Sequence, residues 1–229
     1  MLTVALILAV FSALVIGAIW GLHFPFSDIA DGVLIAIAAG ALIVSAMNEL
    51  IQPASETLPI GVAMSCVAAG AIVFTLLDWL VDKRWGPQSG AGLLLAVTLD
   101  GVPENLALGA GLAGSDPSGV AALAGAIFLS NLPEAAGGAK AMRRSGFGKR
   151  QILGLWTAAA AILAVAAIVG NSAFAAAPAF VTAALQCVAA GAIVASLAIE
   201  IMPRAFRLVR YWPGIAVAAG LILAFMLEQ

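Results

Sequence analysis

Thr98-Leu-Asp-Gly-Val-Pro-Glu-Asn-Leu-Ala107 and Leu129-Ser-Asn-Leu-Pro-Glu-Ala-Ala136 are the two stretches on which the reading of this chain turns. Each lies inside a long apolar run. Each sets a proline immediately before a glutamate and a polar residue four positions ahead of it. On a helix, Asp100 and Glu104 share one face, as do Ser130 and Glu134, with Asn131 close by at i−3. Pro103 cannot donate to the Leu99 carbonyl, nor Pro133 to the Leu129 carbonyl. Both helices are therefore expected to kink and to offer a free carbonyl oxygen beside the carboxylate. Two such helices facing each other would supply three carboxylates plus hydroxyl, amide and carbonyl oxygens, a donor set suited to a divalent cation. The competing account is a pair of ordinary proline kinks carrying protonated acids.

The surroundings of these stretches set the protein class. Of 229 residues, 63% are hydrophobic and only 10% charged, and the mean hydropathy is +1.12. A soluble domain of this size needs far more polar surface. A net charge of −2, with no basic cluster among aromatics, excludes nucleic acid as a partner. Cys66 and Cys187 both sit in apolar runs, so neither a disulfide nor a CxxC metal site is expected. His23 is the single histidine, which rules out a histidine-cluster site. No nucleophile–base arrangement marks an enzyme, no nucleotide-binding loop marks an ATP-driven pump, and no organic cofactor is expected. The apolar Met1–Leu22 stretch lacks a basic leader and a cleavage motif and reads as a first membrane span.

Polar breaks at His23–Asp31, Gln52–Thr57, Asp82–Ser89, Ser115–Pro117, Lys140–Gln151, Asn171–Pro178 and Arg204–Arg210 divide the chain. They leave eight spans, at about 1–22, 30–51, 58–81, 90–113, 118–139, 151–171, 179–203 and 211–228. Each has roughly the ~20 residues that cross a ~30 Å hydrocarbon core as a helix. The expectation is one all-α transmembrane domain over residues 1–229, a multi-pass protein of the inner (plasma) membrane. All ten basic residues fall in or beside the third, fifth and seventh loops. The positive-inside rule puts those loops in the cytoplasm and both termini outside.

Two internal echoes stand out. Cys66-Val-Ala-Ala-Gly-Ala-Ile-Val73 recurs as Cys187-Val-Ala-Ala-Gly-Ala-Ile-Val194, and the Gly40-to-Glu49 interval matches Gly191 to Glu200. Transporters are often built from repeats, although Ala/Gly/Val helices also match one another readily. Gly17 and Gly21 form a small-xxx-small pair.

Six acids fall within the spans: Glu49, Asp78, Asp100, Glu104, Glu134 and Glu200. Charge at that depth costs on the order of 2.5–3.5 kcal/mol per residue and is usually functional. With almost no basic partner in the spans, protonation or a bound cation must offset it. Asp100 lies about ten residues, or ~15 Å, from the inner end of its span, and Glu134 is similarly deep. Glu49 and Glu200 fall near the outer and inner mouths. They read either as pathway acids that attract cations or as acids snorkelling at helix ends. Asp78 reads as interfacial.

These motifs resemble those of the ZIP (zinc/iron-regulated transporter-like) family, most closely its bacterial ZupT-like branch. That family's fourth-span His-Asn-x-Pro-Glu-Gly is matched by Asp100-Gly-Val-Pro-Glu-Asn105, and its fifth-span motif by Ser130-Asn-Leu-Pro-Glu-Ala135. Ile199-Glu-Ile-Met-Pro203 and Leu77-Asp78 resemble its seventh- and third-span motifs. Both motif histidines are replaced here, Gly101 stands for an asparagine, and the sixth span carries no acid. A histidine-rich loop between the third and fourth spans is also missing. The resemblance implies an eight-helix bundle with proline-kinked helices 4 and 5, and a homodimer. In it, spans one, four, five and six slide against two, three, seven and eight.

The resemblance also implies secondary transport of divalent metal ions of the zinc, iron, manganese or cadmium class, directed inward. The substrate would bind at one site made by Asp100, Glu104, Ser130, Asn131 and Glu134, with Glu49 and Glu200 along the pathway. The alternative is a degenerate relative that binds metal or protons without transport, as a sensor or membrane partner. The orientation is testable with an impermeant thiol reagent on intact cells. Cysteine introduced at position 144 should stay unlabelled until the membrane is opened, and strong labelling of intact cells would overturn the topology.

Overall fold

The computed structural model describes residues 2–24, 27–85, 90–114 and 117–227. All of its regular structure is helical, with no strand among the described residues. The α-helices are α1 (Leu2–His23), α2 (Asp28–Ser45), α3 (Gln52–Thr57), α4 (Ile60–Trp85), α5 (Gly90–Gly114), α6 (Pro117–Arg144), α7 (Lys149–Ala176), α8 (Ala179–Ser196), α9 (Met202–Val209) and α10 (Pro213–Leu227). Among the described residues, six helical stretches are long and apolar enough to cross a membrane: Val4–His23, Asp28–Thr57, Ile60–Arg84, Gly119–Arg144, Lys149–Ala176 and Ala179–Val209. The protein is an all-α membrane protein.

Several boundaries differ from the polar breaks. Gln52–Thr57 is helical, as is Met202–Val209, and α6 runs on through Lys140 to Arg144. The reason is that hydropathy marks where a helix leaves the hydrocarbon, whereas backbone hydrogen bonding carries it further into the polar interface. At the start of α2, the Ser27 hydroxyl accepts from the Ala30 amide at 3.1 Å. Asp28 and Asp31 occupy that helix's first turn, where the dipole favours acids. Asp31 is thus a buried helical residue rather than part of a loop.

Two stretches are π-helical, Ala46–Ile51 and Leu197–Ile201, each continuing directly into α3 or α9. They carry Glu49 and Glu200, and a proline (Pro53 or Pro203) follows each. A proline removes one donor from the ladder, and a π turn re-aims the side chains it carries. Both turns stand in the same register to the Ala-Ala-Gly-Ala segments at 38–41 and 189–192. The echo read in the sequence is therefore also an echo of backbone conformation.

Helices pair most extensively as α1 with α6, α5 with α7, α2 with α10, and α4 with α8. Glycine sets each crossing. A Cβ on Gly70 would run into the Val188 carbonyl oxygen, and one on Gly191 into that of Val67. These are the glycines and valines of the repeated octapeptide, so the two copies pack on each other reciprocally. The same reciprocity joins Gly40 with Val217 and Gly220 with Ile37. It also joins Gly109 with Ala167 and Gly170 with Leu106. Gly17 and Gly21 lie against the Leu132 and Ala136 carbonyls, so that pair sets the α1–α6 crossing beside Pro133 and Glu134.

Lipid provides no hydrophobic drive between helices, so close backbone approach and dispersion must hold them together. Gly191→Leu should accordingly lower the melting temperature of the detergent-solubilised protein, matching about 1–3 kcal/mol of overpacking. Gly154→Ala, where a Cβ meets open space, should cost nothing by the same measurement.

Candidate functional site

The α5 and α6 helices pack against each other and carry the two Pro-Glu motifs, with Pro103 and Pro133 inside unbroken helices. Asp100 (3% exposed), Glu104 (2%) and Glu134 (6%) are all buried, as are Ser130 and Asn131. The charges are mutually felt. Asp100 and Glu134 both act on Glu104, and Asp100 acts on Glu134. All five residues expected at the site are therefore buried on two contacting helices. Among the described residues, however, no three His, Cys, Asp or Glu side chains converge as the ligands of one ion.

Unsatisfied polar atoms mark the same region. Asp100 Oδ1 and Asn131 Nδ2 are buried without a hydrogen-bond partner, a costly condition for a carboxylate in a dry interior. Ser196 of α8 faces Asp100, although its Oγ also makes no hydrogen bond of good geometry. The buried Asn105 is satisfied within its own helix, donating from Nδ2 to the Gly101 carbonyl at 2.8 Å.

A cavity of about 240 Å³ opens beside these groups, lined by Asp78, Asp82, Glu134, Glu200, Arg204 and Arg207 among others. Asp78 is buried and lines the cavity together with Glu200. The α4–α8 crossing explains the position. Asp78 lies eight residues beyond Gly70 and Glu200 nine beyond Gly191, so both reach about the same height. Glu49 is elsewhere: its carboxylate abuts Gly119, fifteen residues from Glu134 along α6, or ~22 Å of helix. Of the two expected pathway acids, the fold brings Glu200 to the cavity and leaves Glu49 far from it.

The expectation that the spans hold almost no basic partner is also corrected. Arg204 lies in α9, one turn after Glu200, and its Nη2 pairs with Asp31 Oδ2 at 3.0 Å. Its charge acts on Glu134. A break placed at Arg204 had put the guanidinium in a loop, whereas helix continues through it. Lys140 pairs with Asp28 at 3.6 Å. These contacts bring the start of α2, the end of α6, the end of α4 and α9 to one end of the bundle.

Asp31, Asn105, Ser196 and Arg204 were missed as site residues. One signal was present. Ser45 and Ser196 stand four residues before Glu49 and Glu200, the spacing that singled out Asp100 and Ser130. No protein-family model matches the chain, and no curated protein is detectably similar to it.

Proposed function

We propose that the chain is a secondary transporter that moves divalent metal cations across the cytoplasmic membrane, inward, through Asp100, Glu104 and Glu134. The observation that carries this reading is the burial of three mutually interacting carboxylates on two contacting helices, beside a cavity lined by five further acids and bases, Asp78, Asp82, Glu200, Arg204 and Arg207. Buried like charges need a counter-ion. A mobile cation stabilises them while bound, and the acidic cavity gives it a route out. Ser130, Asn131 and the carbonyls freed by Pro103 and Pro133 complete an oxygen-rich set. Ligand convergence would then accompany binding, drawing α5 and α6 together.

In this reading α5 and α10 also cross the membrane, giving eight spans with both termini outside. The gathering of basic residues at one end of the bundle supports that orientation. The fold is a ZIP-like bundle that works as a homodimer in the lipid bilayer. With no imidazole or thiolate in the set, the site takes zinc, iron, manganese or cadmium with little discrimination. The second reading, a metal- or proton-binding protein that does not transport, is favoured by one observation. Among the described residues the acids do not already form a ligand shell.

Uptake of manganese or zinc by vesicles containing the purified protein separates the two readings, since only a transporter accumulates metal. Glu104→Gln and Glu134→Gln should each weaken metal binding at least about tenfold, equivalent to about 1.4 kcal/mol, and more than Glu49→Gln does. Equal affinity in wild type and both variants would refute the site. Asp100→His should raise the zinc-over-manganese preference, and should make binding weaken as pH falls from about 7 to 5, because imidazole must be neutral to ligate. Zinc–manganese competition measures both effects, and an unchanged ratio removes Asp100 from the ligand set.

A further inference from the structure

Arg204 belongs to no metal site, yet it lines the same cavity as Glu134, Glu200 and Asp78. Its side chain reaches from α9 to α2, where Nη2 touches both oxygens of Asp31, at 3.0 and 3.3 Å. One nitrogen makes both contacts, so the guanidinium is held without the two-nitrogen fork that makes arginine–carboxylate pairs strong.

The guanidinium passes over Gly137, where a Cβ would meet Arg204 Nη2 and stand 3.4 Å from Asp31 Oδ2. Gly137 is three residues after Glu134, which puts the guanidinium one helical turn from that carboxylate and on its side of α6. The charges of Arg204 and Asp31 both act on Glu134. The pair is partly exposed, at 22% for the arginine and 9% for the aspartate side chain.

Resting on the transport reading above, we propose that Arg204 is a tethered counter-cation. Asp31 holds it at the cavity wall, from which it competes with entering cations for Glu134 and Glu200. A fixed positive charge there lowers the affinity of the acidic cavity for cations, and so favours release. The consequence differs in sign between the two partners. Removing Arg204 deletes the competitor, whereas removing Asp31 frees the guanidinium to turn toward Glu134.

The test uses the purified full chain and manganous ion. Arg204→Gln should tighten manganese binding by about fivefold and Asp31→Asn should weaken it by a similar factor, each about 1 kcal/mol. Arg204→Lys should stay within twofold of wild type. A simple structural clasp would move both variants in the same direction, and that result overturns the proposal.

A second measurement needs no metal. Ala96→Cys places a thiol in the cavity wall, with Ile199→Cys as the alternative if that variant does not fold. Its rates with cationic and anionic methanethiosulfonates are compared after subtracting the reaction of Cys66 and Cys187 in the parent. Arg204→Gln should raise the cation-to-anion rate ratio by about fivefold, and Asp31→Asn should lower it. An unmoved ratio overturns the role of Arg204 whatever the binding data show. If the ratio moves as expected while wild type binds no manganese, the metal-site reading fails and the placement of Arg204 stands.

Discussion

The close approach of helix backbones at paired glycines is the constraint on which the rest of this structure depends. In lipid, two apolar helices gain nothing from hiding their leucines from water, so what holds them is contact at short range. Gly70 and Gly191, Gly40 and Gly220, and Gly109 and Gly170 let carbonyls of one helix sit where a side chain would otherwise stand. Each such crossing also acts as a ruler. Residues at equal distance from the crossing point arrive at equal height, which is how Asp78 and Glu200 meet and how the Gly17/Gly21 contact comes to lie beside Glu134.

Around that scaffold the acids are distributed by conformation as much as by position. Glu49 and Glu200 occupy equivalent places in two echoing segments, both on π turns and both followed by proline. Their surroundings nevertheless differ. Glu200 lines the cavity together with Asp78, whereas Glu49 abuts Gly119 at a distant level of α6. The repeat accounts for the shape of both segments. The neighbouring helices account for where each glutamate lies, and of the pair Glu200 lines the cavity.

The charge pattern has the same two-level character. Asp100, Glu104 and Glu134 are buried, with an unpartnered oxygen at Asp100. A positive charge that acts on Glu134 comes from α9, through Arg204 reaching over Gly137 to Asp31. A guanidinium one turn from a buried carboxylate sets the local field more strongly than any distant surface charge, because screening by water and salt is weak there.

By itself the sequence determined the membrane class, the all-helical fold, and the two Pro-Glu faces carrying Asp100, Glu104, Ser130, Asn131 and Glu134. Apolar composition leaves helices as the simplest way to satisfy backbone groups in lipid, and the i, i+4 spacing is a local property of any helix. The octapeptide echo was legible as well, though nothing local said that its two copies touch. Only the tertiary structure decided that Asp78 meets Glu200, that Ser196 faces Asp100, and that Arg204 crosses to Asp31. The partners in those contacts lie far apart in the chain, and their heights follow from where glycines allow the helices to cross. Polar residues near a span end look like loop when read in sequence, and it is the continuing backbone ladder through Asp31 and Arg204 that aims them inward.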